Sequence, residues 1–331
     1  MNCDPQPSRR AEIQMALFNS APAPRPDIIP TGFIGLDAAL QIGGLPRGHI
    51  LELFGPESSG KSTIALQAIA AAQQAGCQAA YVDAEGTLDT RYAMRLGVDL
   101  AKLIIIQPTG GEQSFRILLR LVQSGAIDFA VIDSIASLDP SYSGNMMHSD
   151  MCATFLRRLS LQIARSKCCL MIINQLRSRM KPQSVGPDET TTGGWSVKLF
   201  SSIRVDLQIM EVVKGRSGPV GQRVQAKVVK NRLALGQRQI NLTLQFGTGF
   251  SAELDLLESA LQHELLERCD DDYVYGDVVL GESLEQAVPF LAERKDVGAS
   301  MRHDLEMLMG ILDRKPMAEA RGEIRARAKS A

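Results

Sequence analysis

Residues 55–62 read Gly55-Pro-Glu-Ser-Ser-Gly-Lys-Ser62, which matches the phosphate-loop pattern G-x-x-x-x-G-K-[ST] at every fixed position. The apolar run His49–Phe54 before it predicts a buried strand, and the run Thr63–Ala72 after it predicts a helix. A strand, a loop and a helix in this order leave a chance glycine-rich turn as the weaker alternative. The sequence therefore predicts an α/β fold built around a phosphate site.

The residue types in this loop fit that chemistry. Gly55 and Gly60 allow the backbone to curl so that successive N–H groups face inward, and the helix N-terminus adds the positive end of its dipole. Lys61 is expected to reach the β- and γ-phosphates of a nucleotide, and the Ser62 hydroxyl is expected to bind Mg²⁺. The residues predicted to contact the cofactor here are Gly55, Pro56, Glu57, Ser58, Ser59, Gly60, Lys61, Ser62 and Thr63.

Composition narrows the class of protein. The chain has 331 residues, enough for about two domains, and its hydrophobic fraction of 45% is ordinary for a globular protein. The net charge of −1 excludes a globally basic protein, so any nucleic-acid contact must come from a local patch. The 6 cysteines form no C-x-x-C pair, and Cys168 and Cys169 lie in an apolar run. This predicts reduced thiols and a cytoplasmic location, and no apolar run is long enough to span a membrane.

Changes in composition and in the pattern of apolar residues along the chain predict four regions. We expect a short N-terminal arm with a Pro-rich linker over residues 1–30, a core over 31–250, a small α+β C-terminal domain over 251–313 and a basic flexible tail over 314–331. Within the core, short apolar runs alternate with helical stretches, which predicts a mostly parallel central sheet flanked by helices. The buried strands of that sheet are predicted at Ala79–Asp83, Leu103–Ile106, Phe129–Asp133 and Cys169–Asn174.

The remaining elements follow from the same patterns. Two core helices are predicted, over Glu112–Ser124 and Met151–Ser166. The sheet is expected to finish antiparallel, because three strands then follow without a long helix between them: Ser202–Met210, Val224–Lys230 and Gln239–Phe246. In the C-terminal domain we predict the hairpin Asp270–Leu280 and the helices Leu254–Arg268, Leu284–Arg294 and Ser300–Leu312.

Two carboxylates follow predicted strands. Asp133 ends a buried strand, which makes it the expected second anchor for Mg²⁺; the alternative is a simple strand-end cap. Glu85 also follows a strand end, and nucleotides bind outside the carboxyl ends of parallel strands. It is therefore placed to orient and deprotonate a water molecule that attacks the γ-phosphate. From the residues alone, a surface acid in a loop remains an equal alternative.

A polar pair and a basic loop follow the strand that begins at Cys169. Gln175 can sense the γ-phosphate, and it leads into residues 176–194, where no regular apolar pattern is found. Arg177, Arg179 and Lys181 are three cations with no acid among them, which suits a phosphate backbone. The alternative is a solvated charged loop, and these residues alone favour that alternative.

These residues resemble the RecA family of bacterial recombinases over roughly residues 28–313. The resemblance rests on the whole phosphate loop and on motifs spread along the chain, of which the Thr-Thr-Thr-Gly-Gly run is the most specific. The motifs are Thr31-Gly32, Leu36-Asp37, Gly43-Gly-Leu-Pro46, Gly48, Asp83-Ala-Glu85, Gly111-Glu-Gln113, Asp133-Ser134, Asn174-Gln-Leu-Arg177, Glu189-Thr-Thr-Thr-Gly-Gly194 and Val228-Val-Lys-Asn231.

The resemblance implies a P-loop RecA-type core that binds ATP and Mg²⁺. The residues it assigns are Lys61, Ser62 and Asp133 for Mg-ATP, Glu85 as catalytic base, and Asp89 and Tyr92 beside the adenine, with the Tyr92 ring stacked on it. Gln175 resembles the switch that couples the γ-phosphate to a second DNA-binding loop, Leu176–Gly194, and Tyr142–Met151 match the first. The DNA-binding residues so implied are Met151, Arg177, Arg179, Lys181, Val185, Thr190, Thr191, Thr192, Gly193 and Gly194.

The resemblance also implies assembly. Lys230 and Arg232 are similar to two cations that reach the ATP of a neighbouring protomer. Because such cations neutralise the charge that develops in phosphoryl transfer, hydrolysis would require a head-to-tail helical filament. The implied partners are single-stranded and double-stranded DNA, further copies of the chain and other recombination proteins, with no membrane. The implied activity is DNA-dependent ATP hydrolysis coupled to strand exchange.

Several positions depart from the family's pattern. Arg232 stands where Lys is usual, Val185 where an aromatic is usual, and Trp195 where a small polar residue is usual. The first DNA loop and the N-terminal arm are shorter, and the tail after Pro316 is basic where the family's is acidic. These changes leave the phosphate-loop residues intact and put filament strength and strand exchange in question.

Two alternatives therefore remain. A divergent paralogue would bind ATP and a recombinase or DNA but exchange strands poorly, and it would fail to pair homologous DNA by itself. A ring helicase or clock-type ATPase on the same core would form a closed ring. The Thr190–Gly194 run and the small C-terminal domain argue against the second alternative.

Overall fold

The computed structural model of the chain describes residues 27–108, 111–138, 147–178, 189–191, 194–215, 218–235, 238–269 and 271–310. The predicted N-terminal arm up to residue 26 and the predicted tail lie outside the described residues, as do residues 142–146 of the first predicted DNA loop and 179–188 of the second. Within the described residues, no helix is both long enough and apolar enough to cross a membrane.

The described residues form 15 strands and 10 helices. The strands are β1 (Ile28–Ile29), β2 (Leu45–Pro46), β3 (Ile50–Gly55), β4 (Ala79–Asp83), β5 (Leu103–Ile106), β6 (Phe129–Asp133), β7 (Cys169–Ser178), β8 (Glu189–Thr191), β9 (Ile203–Gly215), β10 (Gly218–Asn231), β11 (Gln239–Gln245), β12 (Gly249–Phe250), β13 (Glu267–Cys269), β14 (Asp272–Tyr275) and β15 (Val278–Gly281). The helices are α1 (Ile34–Ala39), α2 (Lys61–Gln74), α3 (Thr90–Arg95), α4 (Gly111–Ser124), α5 (Ile135–Leu138), α6 (Met147–Ser166), α7 (Gly194–Phe200), α8 (Ala252–Gln262), α9 (Leu284–Glu293) and α10 (Lys295–Leu308).

The large sheet has the order β12-β11-β10-β9-β3-β7-β6-β4-β5, with β8 paired to β7. Strand β3, which enters the phosphate loop, lies in its middle with parallel neighbours on both sides and all of its residues buried. Alternate residues of β3 enter different cores: Leu51 and Leu53 pack in one apolar cluster, and Ile50 in another. This two-sided burial explains the continuous apolar run in the sequence and confirms the predicted α/β class.

The sheet finishes antiparallel, as the three late strands predicted. Strand β10 pairs antiparallel with both β9 and β11. The prediction that Leu103–Ile106 is a buried strand was wrong in one respect, because β5 is the edge of the sheet. Ile104 and Ile105 are each 36% exposed there, and an edge strand has a neighbour on only one side.

The C-terminal residues build a separate apolar cluster. Its members come mainly from α8, α9 and α10, and Ile34 of α1 packs into it from the core. The predicted helix Leu254–Arg268 was too long: α8 ends at Gln262, Glu264 adopts a positive φ of 56°, and Glu267–Cys269 forms β13. The predicted hairpin is present as β14 and β15. The last predicted helix begins earlier, at Lys295, and ends at Leu308.

Two buried carboxylates lie where α1 meets α8. The backbone N–H of Thr31 donates to Asp37 Oδ1 at 3.1 Å, and that of Gly35 donates to Asp255 Oδ2 at 3.0 Å. Burial raises the pKa of Asp37 to about 8 and that of Asp255 to about 6. Near neutral pH the raised pKa therefore favours the protonated form of Asp37, whereas Asp255 is mainly protonated only below about pH 6.

We expect the fold to lose stability as pH rises between about 4 and 8, because Asp37 holds its proton more tightly in the folded chain than in the unfolded one. The loss is up to about 1.4 kcal/mol per pH unit. Asp37→Asn keeps an acceptor for Thr31 and cannot ionise, so its free energy of unfolding should depend less on pH. Urea titrations of both proteins at pH 6, 7 and 8 measure this, since Asp255 is mostly ionised above its pKa of about 6. Equal slopes in the two proteins would contradict the prediction.

Candidate active site

The phosphate loop closes around the Lys61 ammonium. Lys61 Nζ donates to the carbonyl oxygen of Gly55 at 3.1 Å and to that of Pro56 at 2.5 Å, and it lies 3.4 Å from Ser59 Oγ. Burial lowers the pKa of Lys61, and the nearby carboxylates Asp133, Glu57 and Glu85 oppose that shift. The loop thus holds a cation at its centre, at the first residue of α2.

The shape of the loop depends on Gly60. Its φ is +85°, a left-handed value, and a Cβ there would come within 2.7 Å of the Phe250 ring. Phe250 is in turn fixed to α2, because Gln67 Nε2 donates to the Phe250 carbonyl at 2.8 Å and the Phe250 N–H donates to Gln67 Oε1 at 2.9 Å. Only glycine therefore fits between the loop and β12 without a shift of packed atoms.

Two oxygen groups face each other beside the loop. Ser62 Oγ donates to Asp133 Oδ2 at 2.5 Å, and the Tyr81 hydroxyl donates to the same oxygen at 2.6 Å. Burial raises the pKa of Asp133 despite these hydrogen bonds, and burial raises the pKa of Tyr81 as well. A hydroxyl next to a carboxylate is the kind of hard-oxygen set that Mg²⁺ prefers, so Ser62 and Asp133 fit that ion.

Glu85 lies close enough to Asp133 to add to the rise in the pKa of that carboxyl. Its Oε1 accepts hydrogen bonds from Ser134 Oγ at 2.5 Å and from Ser137 Oγ at 3.2 Å, and Gln175 Nε2 lies 3.5 Å away. Glu85 and Ser134 follow the ends of β4 and β6, and Ser137 lies in α5. Gln175 of β7 is level with Gly55 at the end of β3, and all four strands run parallel. The arrangement agrees with the predicted placement of Glu85 and Gln175 at the carboxyl edge of the sheet.

A second aspartate fixes the segment that carries Glu85. Asp83 accepts from the backbone N–H groups of Thr87 at 3.0 Å and Leu88 at 3.3 Å, and from Gln107 Nε2 at 3.1 Å. The sequence marked Asp83 only as part of a motif, and its role as a turn-forming carboxylate is new. The available sequence signal is an Asp at the end of an apolar run, followed closely by Gly86 and Thr87.

The two residues expected beside the adenine occupy α3 and its cap. Asp89 Oδ1 accepts from the backbone N–H groups of Arg91 at 2.9 Å and Tyr92 at 3.0 Å, which makes it the N-cap of α3. The Tyr92 hydroxyl lies 3.2 Å from Thr63 Oγ1, so the ring stands next to the first turn of α2. Tyr92 therefore lies beside the phosphate loop, and Asp89 caps the N-terminus of α3.

Comparison with known proteins gives the family of this chain. The family of the RecA N-terminal domain matches residues 12–251. A protein named Protein RecA from a Nitratiruptor species is 40% identical over 293 residues, covering 86% of this chain and 85% of its own. The chain belongs to the RecA family. Proteins of the same name from Streptomyces ambofaciens (39% over 315 residues; 92% of this chain, 84% of that one) and Treponema denticola (41% over 300; 88% and 72%) also match.

Part of the second DNA-binding loop expected from the RecA family is formed by two paired antiparallel strands. Strand β7 continues past Gln175 to Ser178 and pairs antiparallel with β8, so that Leu176 is the register partner of Thr191 and Arg177 that of Thr190. The prediction of an irregular segment over 176–194 was therefore wrong at both of its ends, and α7 begins at Gly194. Five of the residues assigned to DNA lie outside the described residues: Arg179, Lys181, Val185, Thr192 and Gly193.

Helix α6 begins inside the segment predicted as the first DNA-binding loop. It begins at Met147, four residues before the predicted start at Met151, so that Met151 lies within the helix. The predicted loop Tyr142–Met151 thus ends in helix. The exact terminal residues of a helix are the least certain part of any assignment from sequence.

The two cations that RecA resemblance assigns to a neighbour's ATP lie at the end of β10. Lys230 Nζ donates to the carbonyl oxygens of Lys198 at 2.5 Å and Ser201 at 2.6 Å, at the C-terminal end of α7. Burial lowers the pKa of Lys230, with further lowering from Arg232 and Arg204. Within one chain Lys230 therefore binds helix carbonyls.

The strand that enters the phosphate loop carries a buried ionic group. Glu52 of β3 is fully buried and forms a salt bridge with Arg204 of β9, whose guanidinium lies 4.5 Å from the centre of the Phe54 ring. Asn174 Nδ2 donates to Glu52 Oε1 at 2.9 Å, and Asn174 Oδ1 accepts from the Gln175 N–H at 2.9 Å. The available signal was one acid inside an otherwise apolar strand. Its partners, on β7 and β9, are far away in sequence.

Proposed function

We propose that this RecA-family chain is an ATP-dependent DNA recombinase. It would bind single-stranded DNA as a filament and promote homologous pairing and strand exchange with a duplex in recombinational repair, in the cytoplasm. The observation that carries the proposal is the continuity of β7: one strand holds Gln175, 3.5 Å from Glu85, and then pairs with β8, which begins the Glu189-Thr-Thr-Thr-Gly-Gly194 run. A displacement of Gln175 that follows a change at the nucleotide would therefore be transmitted along β7 to the segment assigned to DNA.

The nucleotide would be held by the phosphate loop. Lys61 would exchange its bonds to loop carbonyls for bonds to the β- and γ-phosphates, and the inward N–H groups would bind the remaining phosphate oxygens. Ser62 and Asp133 would hold Mg²⁺, which neutralises phosphate charge when bound. Tyr92 would pack on the base beside the first turn of α2.

Glu85 would act on the attacking water. Its carboxylate is held by Ser134 and Ser137, which leaves the second oxygen available to accept a proton. Gln175 would sense the γ-phosphate from the opposite side. Lys230 would leave the carbonyls at the end of its own chain's α7, and Lys230 and Arg232 would reach the ATP of the next protomer, which ties hydrolysis to assembly.

The accessory-paralogue alternative is not favoured. The relatives named above all carry the name Protein RecA and match over most of the chain. The division of the chain at residues 250 and 251 into a core and a small C-terminal domain stays a proposal, supported by the separate apolar cluster around α8 to α10.

The test is ATP hydrolysis with and without single-stranded DNA at two salt concentrations. We expect stimulation by DNA that weakens as salt rises, and pairing of homologous DNA by the protein alone. Hydrolysis that is indifferent to DNA would contradict the recombinase proposal.

Replacing both Arg177 and Arg179 with Ala should weaken DNA binding and flatten its salt dependence. Each lost phosphate contact on a single strand lowers the slope of log K against log salt by about 0.7, so the double variant should lose about 1.4. Binding isotherms at four salt concentrations measure the slope. Arg294→Ala is the matched control, because Arg294 is an exposed arginine paired with Asp296. An unaltered slope in the double variant would show that these arginines do not contact DNA.

A further inference from the structure

A buried amide side chain holds the phosphate loop from the antiparallel side of the sheet. Gln222 Nε2 donates to the Ser58 carbonyl oxygen at 2.7 Å, a contact between β10 and a loop residue 164 positions away in the sequence. Gln222 is only 5% exposed. Its register partners are Val212 on β9, which is about half exposed, and Leu244 on β11, which is buried, so an apolar side chain flanks the amide on each neighbouring strand.

The position of Gln222 on β10 indicates why the amide is there. Alternate buried residues of β10 form the row Gln222, Val224, Ala226 and Val228, of which only the first is polar. A polar side chain in such a row costs free energy unless it is hydrogen-bonded. Irregularities in the pairing of β10 with β9 lie on both sides of Gln222, between Pro219 and Gly221 and between Arg223 and Val224. Such irregularities re-aim side chains.

The accepting residue, Ser58, has an unfavourable backbone conformation. Ser58 adopts a φ of +61°, a left-handed value that non-glycine residues seldom adopt. When loop N–H groups turn inward to face a phosphate, a carbonyl such as that of Ser58 turns outward and needs a donor. Gln222 is that donor.

We propose that Gln222 is a positioning residue for ATP binding, which pre-forms the phosphate loop by fixing the Ser58 carbonyl. The inference rests on the proposed function of the loop. It also links the long β9–β10 hairpin to the nucleotide, because a displacement of β10 moves the group that shapes the loop.

The test compares Gln222→Met with the wild type and with Gln225→Met. Methionine has the length of glutamine without a donor, and Gln225, on the same strand, is 3.5 Å from Asn241 Oδ1. We measure the Kd of a fluorescent ATP analogue with Mg²⁺, then kcat and KM, then the thermal midpoint with and without ATP. Gln222→Met should raise Kd and KM about tenfold, the loss of about one hydrogen bond, with kcat within twofold. The rise in midpoint caused by ATP should shrink. The control should match the wild type in all measurements.

A second variant separates positioning from packing. Gln222→Glu can donate to the Ser58 carbonyl only when its carboxyl is protonated, so its nucleotide affinity relative to Gln222→Met should rise as pH falls from 8 to 5.5. Wild-type affinity in Gln222→Met, or no difference in pH dependence between the two variants, would overturn the inference. If the wild type itself binds no ATP, the proposed function fails instead, so the two failures are distinguishable. Should Gln222→Met not fold, the comparison of Gln222→Glu with the wild type across pH decides.

Discussion

Lys61→Ala is expected to lower the kcat of ATP hydrolysis by about 10³-fold. The ammonium is the cation at the centre of the phosphate loop, where it lies 3.1 Å from the Gly55 carbonyl and 2.5 Å from the Pro56 carbonyl. Charge that develops on the transferring phosphoryl group needs a fixed cation at this point, and the removal of one such group costs about 10²–10³ or more. No other lysine in the described loop can replace it, because its neighbours there are Ser59, Gly60 and Ser62.

Steady-state hydrolysis with saturating DNA measures the effect, and Lys102→Ala is its control. Lys102 is exposed and paired with Asp99, so its loss removes a lysine of equal charge from the surface. Lys61→Ala should also bind the fluorescent ATP analogue more weakly, since the β- and γ-phosphates lose their cation. Turnover at the wild-type rate would mean that ATP is hydrolysed elsewhere in the molecule.

The parts of the site that lie within one stretch of chain could be predicted from the sequence. The loop, its strand and its helix are local, and their residue types are fixed by the need for inward N–H groups and for a cation at Lys61. The carboxylates Asp133 and Glu85 could be placed because the ends of parallel strands meet at one edge. What decides their exact surroundings is side-chain packing: Ser134 and Ser137 hold Glu85, and Tyr81 holds Asp133.

The structural features that the sequence predicted wrongly, or did not predict, depend on contacts between residues that are far apart in the sequence. Strand β7 extends past Gln175 because β8 pairs with it, and no pattern in residues 176–194 announces that pairing. The helix beginning at Ala252 ends early because β13 is needed as a partner of β14. Arg204 pairs with Glu52 across 152 positions, so the pair is invisible to any rule of spacing.

The same long-range contacts connect the site to neighbouring strands of the sheet. The chain of contacts from Glu85 to Gln175, Asn174, Glu52 and Arg204 crosses three adjacent strands. Arg204 is the register partner of Lys230 on β10. A buried ion pair contributes little to stability when an apolar pair could replace it, which suggests that Glu52 and Arg204 are kept for the geometry they impose. The geometry at Glu85 and the geometry at Lys230 would then be set together.

Glu85→Gln is expected to leave ATP binding within about threefold of the wild type and to lower kcat by about 10²–10⁴. Glutamine has the same length and keeps an oxygen that accepts from Ser134 at the position where Glu85 Oε1 now accepts at 2.5 Å. The segment held by Asp83 therefore stays in place, and the contacts proposed for Lys61, Ser62 and Asp133 with the nucleotide are unchanged. The lost property is the basicity that takes a proton from the attacking water.

The measurement pairs single-turnover hydrolysis with binding of the fluorescent ATP analogue, in the presence of DNA. Glu293→Gln is the matched control, because it makes the same change at an exposed position on α9. A base and a merely structural acid give different results: removal of a base lowers kcat at unchanged Kd, whereas removal of a structural acid weakens binding and lowers the thermal midpoint. Loss of nucleotide binding in Glu85→Gln would therefore reject Glu85 as the base and leave it as a support for Ser134 and Gln175.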